Sequence, residues 1–327
     1  MFRTETEFVS WLRARVPRSA RGLELGIGDD SAIVEVRRGH KLVLKADMSI
    51  EGVHFTGRVH PPRSVGHRAL ARSLSDVAAM GGTPKFALTS LAISKAATRA
   101  WLRELYAGVL ALAKRFAVVL VGGDTAVVAG KTMLDVMVAG EVERGMELRR
   151  SGARPGDQIY VSGRLGLSAL GLRLLESGGR TSPQERGAIR AHLYPEPRCA
   201  LGRYLSRKRL ASALIDVSDG LSTDLAHLCK SSGVGARVWA DLIPGPEFPT
   251  GRRPRPADSL DLALHGGEDY ELLFTVPPGK TGEVPVRFRD LPLNRIGEIC
   301  RSKGVALVRP DGAAMSLGPG GYDHFAK

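Results

Sequence analysis

Apolar residues recur along this chain at two spacings, every second position or every third to fourth, and their alternation predicts a mixed α/β protein. Near the start, Phe8, Trp11, Leu12 and Val16 mark one face of an amphipathic helix. Strand-like runs follow at 32–36 and 41–46. After Pro61-Pro62, the positions Ala69, Leu70, Ser73, Val77 and Met80 predict a helix over 64–80, stopped by Gly81-Gly82 and Pro84. A strand at 86–93, a helix at 98–116 and a buried strand at 117–121 come next, and the last runs into Gly122-Gly123-Asp124-Thr125.

A polar stretch at 144–157, containing Arg149-Arg150-Ser151-Gly152 and Pro155-Gly156, is the expected domain boundary. It divides the chain into 1–148 and 149–327. Beyond it the order is strand (158–162), Gly-rich turn (163–166) and helix (168–176). That order suits presentation of backbone N–H groups to phosphate, and ordinary packing produces it as well. A short helical stretch, the segment Tyr194-Pro195-Glu196-Pro197 and an apolar helix near 200–205 lead to a strand at 213–215. That strand enters Asp216-Val217-Ser218-Asp219-Gly220, and a helix follows on the stripe Leu221, Leu225, Leu228. Ser218 or Asp219 suits its N-cap, but capping does not account for Asp216, Asp219 and Asp224 so close together. A Pro- and Arg-rich surface loop is expected at 243–258. Then Gly266-Gly267-Glu268-Asp269-Tyr270-Glu271 enters a strand at 272–276, and the chain closes on Gly320-Gly321-Tyr322-Asp323-His324-Phe325.

Composition narrows this picture without deciding it. At 327 residues, 43% hydrophobic and 25% charged, the chain has material for two globular domains. Its net charge of +13 favours anionic ligands in general. The basic residues are dispersed, with no arm of like charges and no aromatic-interleaved patch, which argues against nucleic acid as partner. Cys199, Cys229 and Cys300 are far apart and lack metal-ligand spacing, as expected of a reducing cytoplasm. No apolar run approaches the ~18 residues of a membrane span, and the first residues lack the apolar core of a signal peptide.

The candidate chemistry lies in the aspartates. Gly26-Ile27-Gly28-Asp29-Asp30 places two carboxylates after a sharp turn, and Asp47, Asp124 and Asp216 also end β-rich runs. Clustered carboxylates repel one another unless a cation lies between them. Asp76, near the end of its predicted helix, opposes the helix dipole at a cost of about 1 kcal/mol unless a cation compensates; a surface salt bridge accounts for it equally well. Gly130-Lys131-Thr132 looks like the end of a P-loop. Thr125 stands where that motif needs Gly, however, and a strand-like run follows, so a β-hairpin turn is expected there.

Taken together the motifs resemble the thiamine-monophosphate kinases, a family of the aminoimidazole ribonucleotide synthetase superfamily. The resemblance rests on GIGDD (26–30), EGVHF (51–55), SLSDVAAMGGTP (73–84), GGDT (122–125), RSGARPGD (150–157), IDVSDG (215–220), GGEDYEL (266–272) and GYDHF (321–325). It implies an α/β (α+β) fold of two domains: an N-terminal domain whose sheet pairs across a homodimer into a barrel, and a C-terminal α/β domain. It implies ATP-dependent phosphorylation of thiamine monophosphate to thiamine diphosphate, the last step of that cofactor's synthesis, with several Mg²⁺ ions. By the same resemblance Asp30, Asp47, Asp76, Asp124, Asp216 and Asp219 are the metal ligands. Gly123, Asp124, Arg150 and Ser218 would meet ATP, and His54, Glu268 and Tyr322 the thiamine phosphate.

Two departures stand out. The family's hydroxyl-rich Ser-Thr-Asp-Thr pattern is replaced by Lys45-Ala46-Asp47-Met48, and its Arg shortly after GGDT by Ala126-Val127-Val128. The first takes side-chain oxygens from one metal site and brings an ammonium to it, so an altered number of bound ions is expected with activity retained. The rival readings are sister enzymes of the superfamily and a nucleotide-binding regulator without turnover. No Cys lies in the N-terminal Gly-rich segment and none in the final residues. A selenophosphate synthetase needs the former and the hydrogenase-maturation relative the latter, while aminoimidazole ribonucleotide synthetase fits EGVHF and GYDHF poorly.

Overall fold

The computed structural model describes residues 2, 4–28, 31–178, 182–247 and 256–322. It divides into two compact units, one of residues 1–77 and 82–145 and one of 78–81 and 146–327.

The first unit holds α1 (Glu5–Arg13), β1 (Leu23–Leu25), β2 (Ile33–Val34), β3 (His40–Ile50), α2 (Pro62–Ala79, whose last residues belong to the second unit), β4 (Thr83–Ser94), α3 (Arg99–Arg115), β5 (Val119–Val128) and β6 (Met133–Glu143). The amphipathic stripe of α1 is real, and its Phe8 and Trp11 rings pack with Phe2 and Tyr106. Val16 lies beyond the end of that helix. Pro62 opens α2 instead of merely interrupting the chain, because its missing N–H is one no first turn uses. Thr98 caps α3 by accepting from the Trp101 N–H.

Four strands form a sheet in the order β3-β6-β4-β5, antiparallel except for the parallel pair β4/β5. This overturns the hairpin expected at Gly130-Lys131-Thr132. β5 and β6 do not pair; they flank β4, and Thr132 is fastened to Glu51 through both backbone groups and the Glu51 carboxylate. One face of the sheet is core, with Leu134, Val136 and Val138 fully buried, as are Leu70 and Leu74 of α2 and Leu105, Val109 and Leu112 of α3. The two helices meet at glycines. A Cβ on Gly66 would lie 2.0 Å from the Leu105 carbonyl oxygen, and one on Gly108 1.9 Å from that of Arg63. On the opposite face β1 and β2 cover Phe86, Val119 and Val121. Toward β3 that face leaves Leu42, Leu44, Met48 and Met133 exposed.

The second unit comprises β7 (Gln158–Ser162), α4 (Leu167–Ser177), α5 (Pro183–Leu193), α6 (Cys199–Arg207), β8 (Ala213–Val217), α7 (Leu221–Ser232), β9 (Gly235–Trp239), α8 (Pro256–His265), β10 (Glu271–Val276), β11 (Arg287–Phe288), β12 (Leu291–Cys300), β13 (Gly304–Val308) and β14 (Ala314–Ser316). Its sheet runs β14-β13-β9-β12-β7-β10-β8, with β11 added beside β12. Leu221, Leu225 and Leu228 of α7 are fully buried in one core with Ile159, Val161, Ile215, Val217 and Val238. Across β7, β10 and α6, Arg198 and the Ser162 hydroxyl both bond the buried Glu271 carboxylate, Arg198 Nε at 2.8 Å.

Candidate active site in two acidic clusters

In the first unit β3 and α2 bring two of the expected ligands together. Asp47 lies on the core-facing side of β3, and Asp76 on the last turn of α2. Lys45, two residues before Asp47 and therefore on the same face of the strand, reaches between them. Its Nζ is 3.3 Å from Asp47 Oδ1 and 3.2 Å from Asp76 Oδ2. Burial alone would lower the Lys45 pKa, but the charges of Asp76 and Asp47 outweigh it and hold that pKa above the ordinary lysine value. The same ammonium answers the dipole conflict at Asp76. Ser73 donates to the Val136 carbonyl at 2.9 Å and lies 3.5 Å from Asp47 Oδ2.

Asp124 is exposed and accepts from the Thr125 N–H at 2.8 Å. Gly122-Gly123-Asp124-Thr125 is not a turn after a strand, as the sequence suggests; β5 runs straight through it. Gly123 (φ +155) is pressed against β4, where a Cβ would come 2.0 Å from the Thr89 carbonyl oxygen. Asp135, a carboxylate the sequence reading passes over, is opposite Met48 on β3, and its pKa is raised by partial burial and then by the charge of Asp47. Its isolated place in an apolar strand gave no signal. Asp30 lies outside the described residues.

His54 follows β3 in a tight turn. Its Nδ1 accepts from the Ile50 N–H at 3.0 Å, so the neutral ring carries its proton on Nε2. With Ser49, Phe55, Val65, Arg68 and Arg72 it lines a small recess.

In the second unit three motifs far apart in sequence converge on the turn after β8. The Ser218 carbonyl accepts from the Glu268 N–H at 2.7 Å, and the Asp219 carbonyl from the Tyr322 N–H at 3.2 Å. Gly321 and Gly267 are packed so close to that turn that a Cβ would reach 1.7 Å from the Asp219 carbonyl oxygen and 2.6 Å from that of Ser218. Asp216 is buried and Asp219 half-buried. Neither Ser218 nor Asp219 caps α7, whose N-cap is Gly220. Asp224, from the first turn of α7, instead accepts from the Ser218 and Asp219 N–H groups at 3.0 Å each. Burial, then the charges of Asp216 and Asp219, push its pKa to about 8.

The Gly-rich turn before α4 is likewise engaged. Asp269 accepts from the Gly166 and Ser168 N–H groups, so those donors serve internal packing and not phosphate. Desolvation in its partly buried place raises the Asp269 pKa to about 7. Its neighbours Glu268 (φ 66) and Tyr270 (φ 53) occupy the left-handed region, a strained conformation that aims both side chains. Arg150 is not brought beside Ser218. Its carbonyl accepts from Ser232 at the far end of α7, and the Arg149 carbonyl bonds Leu214 near the start of β8.

Among the described residues no three His, Cys, Asp or Glu side chains form a complete metal cage. Asp216, Asp219 and exposed Asp124 are carboxylates of the kind a hard divalent ion takes beside phosphate oxygens, whereas Asp224 is engaged by the Ser218 and Asp219 N–H groups. The Asp47–Asp76 pair does not fit such an ion, since an ammonium already stands between its oxygens.

Comparison with known proteins decides what this arrangement belongs to. Family models described as AIR synthase related protein, N-terminal domain and C-terminal domain match residues 28–142 and 154–309. The thiamine-monophosphate kinase of Salmonella typhimurium is 38% identical over 317 residues, covering 95% of this chain and 95% of that protein. This chain belongs to the thiamine-monophosphate kinase family. The Bacillus subtilis member of the family is 36% identical over 312 residues, 93% of this chain and 94% of its own. The crystal structure of thiamine-monophosphate kinase from Stenotrophomonas maltophilia K279a superposes with a TM-score of 0.83 at 37% identity, covering 94% of this chain and 96% of that one. AaThiL complexed with AMPPCP and TMP gives a TM-score of 0.77 at 33% identity, over 98% and 97%.

Proposed function

We propose that this protein transfers the γ-phosphoryl group of ATP to thiamine monophosphate, giving thiamine diphosphate and ADP. The relative solved with AMPPCP and TMP carries this reading, supported by the convergence of Glu268 and Tyr322 on the Ser218–Asp219 turn. The nucleophile needs no base from the protein. A phosphomonoester has its second pKa near 6 and is largely a dianion at neutral pH. The difficulty is repulsion, about 4 kcal/mol for each pair of like charges 4 Å apart at an effective dielectric of 20.

The chain's own groups act on that difficulty by binding and orienting. His54 offers its Nε2–H to the acceptor phosphate, and Glu268 and Tyr322 orient the thiamine portion. Ser218 and Gly123 meet the nucleotide phosphates, and Arg150 makes a bidentate contact with nucleotide. Asp224, by gripping two successive N–H groups, fixes the turn that carries Asp216 and Asp219. Magnesium, when bound, would be held by Asp124 in one unit and by Asp216 and Asp219 in the other, and would neutralise the phosphate oxygens.

A homodimer completes the reading. The edge strand β3 with its exposed Leu42, Leu44 and Met48, and Met133 beside it on β6, is the face it buries, and Leu44→Glu is expected to halve the mass seen by light scattering. Among the described residues no helix is long and apolar enough to cross a membrane, and the site of action is proposed as the cytoplasm. The test is incubation of the purified protein with ATP, Mg²⁺ and thiamine monophosphate. Thiamine diphosphate appearing by mass is the expected result; ADP formed at the same rate without thiamine monophosphate contradicts the proposal.

A further inference from the structure

We infer that Lys45 takes the place of a metal ion between Asp47 and Asp76, so that this pair of carboxylates binds no divalent ion of its own. The inference rests on the kinase reading only for the expectation that an ion belongs there; the contacts themselves belong to this chain. The two carboxylates come from different elements, β3 and α2, and face each other across one ammonium, 3.3 and 3.2 Å from the nearest oxygen of each. A magnesium ion demands oxygens at about 2.1 Å in near-octahedral array. It cannot share that gap with a lysine nitrogen, which offers three donors and no acceptor.

The flanking residues favour the same conclusion. Ala46 and Met48, on either side of Asp47, bring no side-chain oxygen, and Met48 points to the opposite, exposed face of β3. The Ser73 hydroxyl of α2 gives its hydrogen to the Val136 carbonyl at 2.9 Å and lies 3.5 Å from Asp47 Oδ2. An ion entering here would have to displace the ammonium.

The substitution has a chemical consequence. A covalently held single charge neither exchanges with solvent nor depends on the magnesium concentration. The local charge between Asp47 and Asp76 is therefore set by the fold and not by bound ions.

The experiment counts ions. Mn²⁺ bound per chain is measured by the electron paramagnetic resonance of free Mn²⁺, on the full-length protein with a non-hydrolysable ATP analogue and without thiamine monophosphate. Lys45→Ser is expected to bind one Mn²⁺ more per chain than the unaltered protein, and Lys45→Arg, which keeps the charge, the same number. Should Lys45→Ser not fold, Lys45→Gln reads the same gain. Equal counts in the unaltered protein and in a folded Ser or Gln variant would overturn the inference, as would an added ion in Lys45→Arg. Because the count omits the acceptor, it fails or succeeds separately from the turnover assay on which the kinase reading stands.

Discussion

The pair Asp47–Asp76 in the first unit and the turn carrying Asp216 and Asp219 in the second meet one problem, carboxylates held close together, in opposite ways. In the first, a lysine on the same strand as Asp47 bridges the two acids, whose charges hold its pKa above the ordinary lysine value. In the second, Asp224 is driven toward its protonated form, with a pKa near 8. The difference teaches where charge is stored. The first region is balanced by the polypeptide itself. In the second, the mutual repulsion of the carboxylates is met by holding one of them, Asp224, toward its uncharged form.

That comparison can be sharpened with a third acid, Glu271, which is buried and bonded to Arg198. Arg198→Ala would strand the Glu271 charge and should cost about 3–5 kcal/mol, read from the denaturation midpoint. Lys45→Gln, at a half-exposed pair, should cost only about 1 kcal/mol. Equal costs would mean that Lys45 is a structural tie of the Arg198 kind.

Turnover should separate the two regions next. Asp216→Asn is expected to lose more than about 100-fold in kcat with its fold intact, if Asp216 holds the metal ion proposed above. Asp47→Asn, facing an internal ammonium, should lose about tenfold. The reverse order would break the comparison.

A pH-dependent effect concerns Asp269, which burial holds near pKa 7. Its folded pKa lies above the ordinary 3.8, so the stability it contributes is complete below about pH 4 and is lost as pH rises through 7. The melting temperature of the unaltered protein should therefore fall relative to Asp269→Asn between pH 4 and 7. A gap that does not change with pH would show that Asp269 keeps its charge throughout.

Much of the fold was legible because periodicity is a local property. The strand at 158–162 matches β7, and the helices at 64–80 and 98–116 match α2 and α3 to within two residues. The strands after residue 276 escaped notice, since β12 carries Pro292, Asn294 and Arg295 among its apolar residues and β13 and β14 are short. Gly122-Gly123 reads as a break, yet the close approach of β4 makes glycine a requirement inside a continuous strand. The acidic motifs announced themselves singly. What the sequence could not display was their partners: Asp224 gripping the turn ahead of it, Asp269 capping a helix a hundred residues earlier in the chain, and Tyr322 returning to Asp219. Those are long-range pairings, fixed only when the sheet and its helices pack. The reach of Lys45 toward Asp76 belongs with them, because it joins a strand to a helix.

The most direct measurement is a crystal structure of the protein with Mn²⁺ and a non-hydrolysable ATP analogue, with the metal located by its anomalous scattering. The account predicts manganese at Asp216 and Asp219 and at Asp124, and none between Asp47 and Asp76, where the Lys45 nitrogen stays in place. A manganese peak between Asp47 and Asp76, with Lys45 swung away, would contradict it.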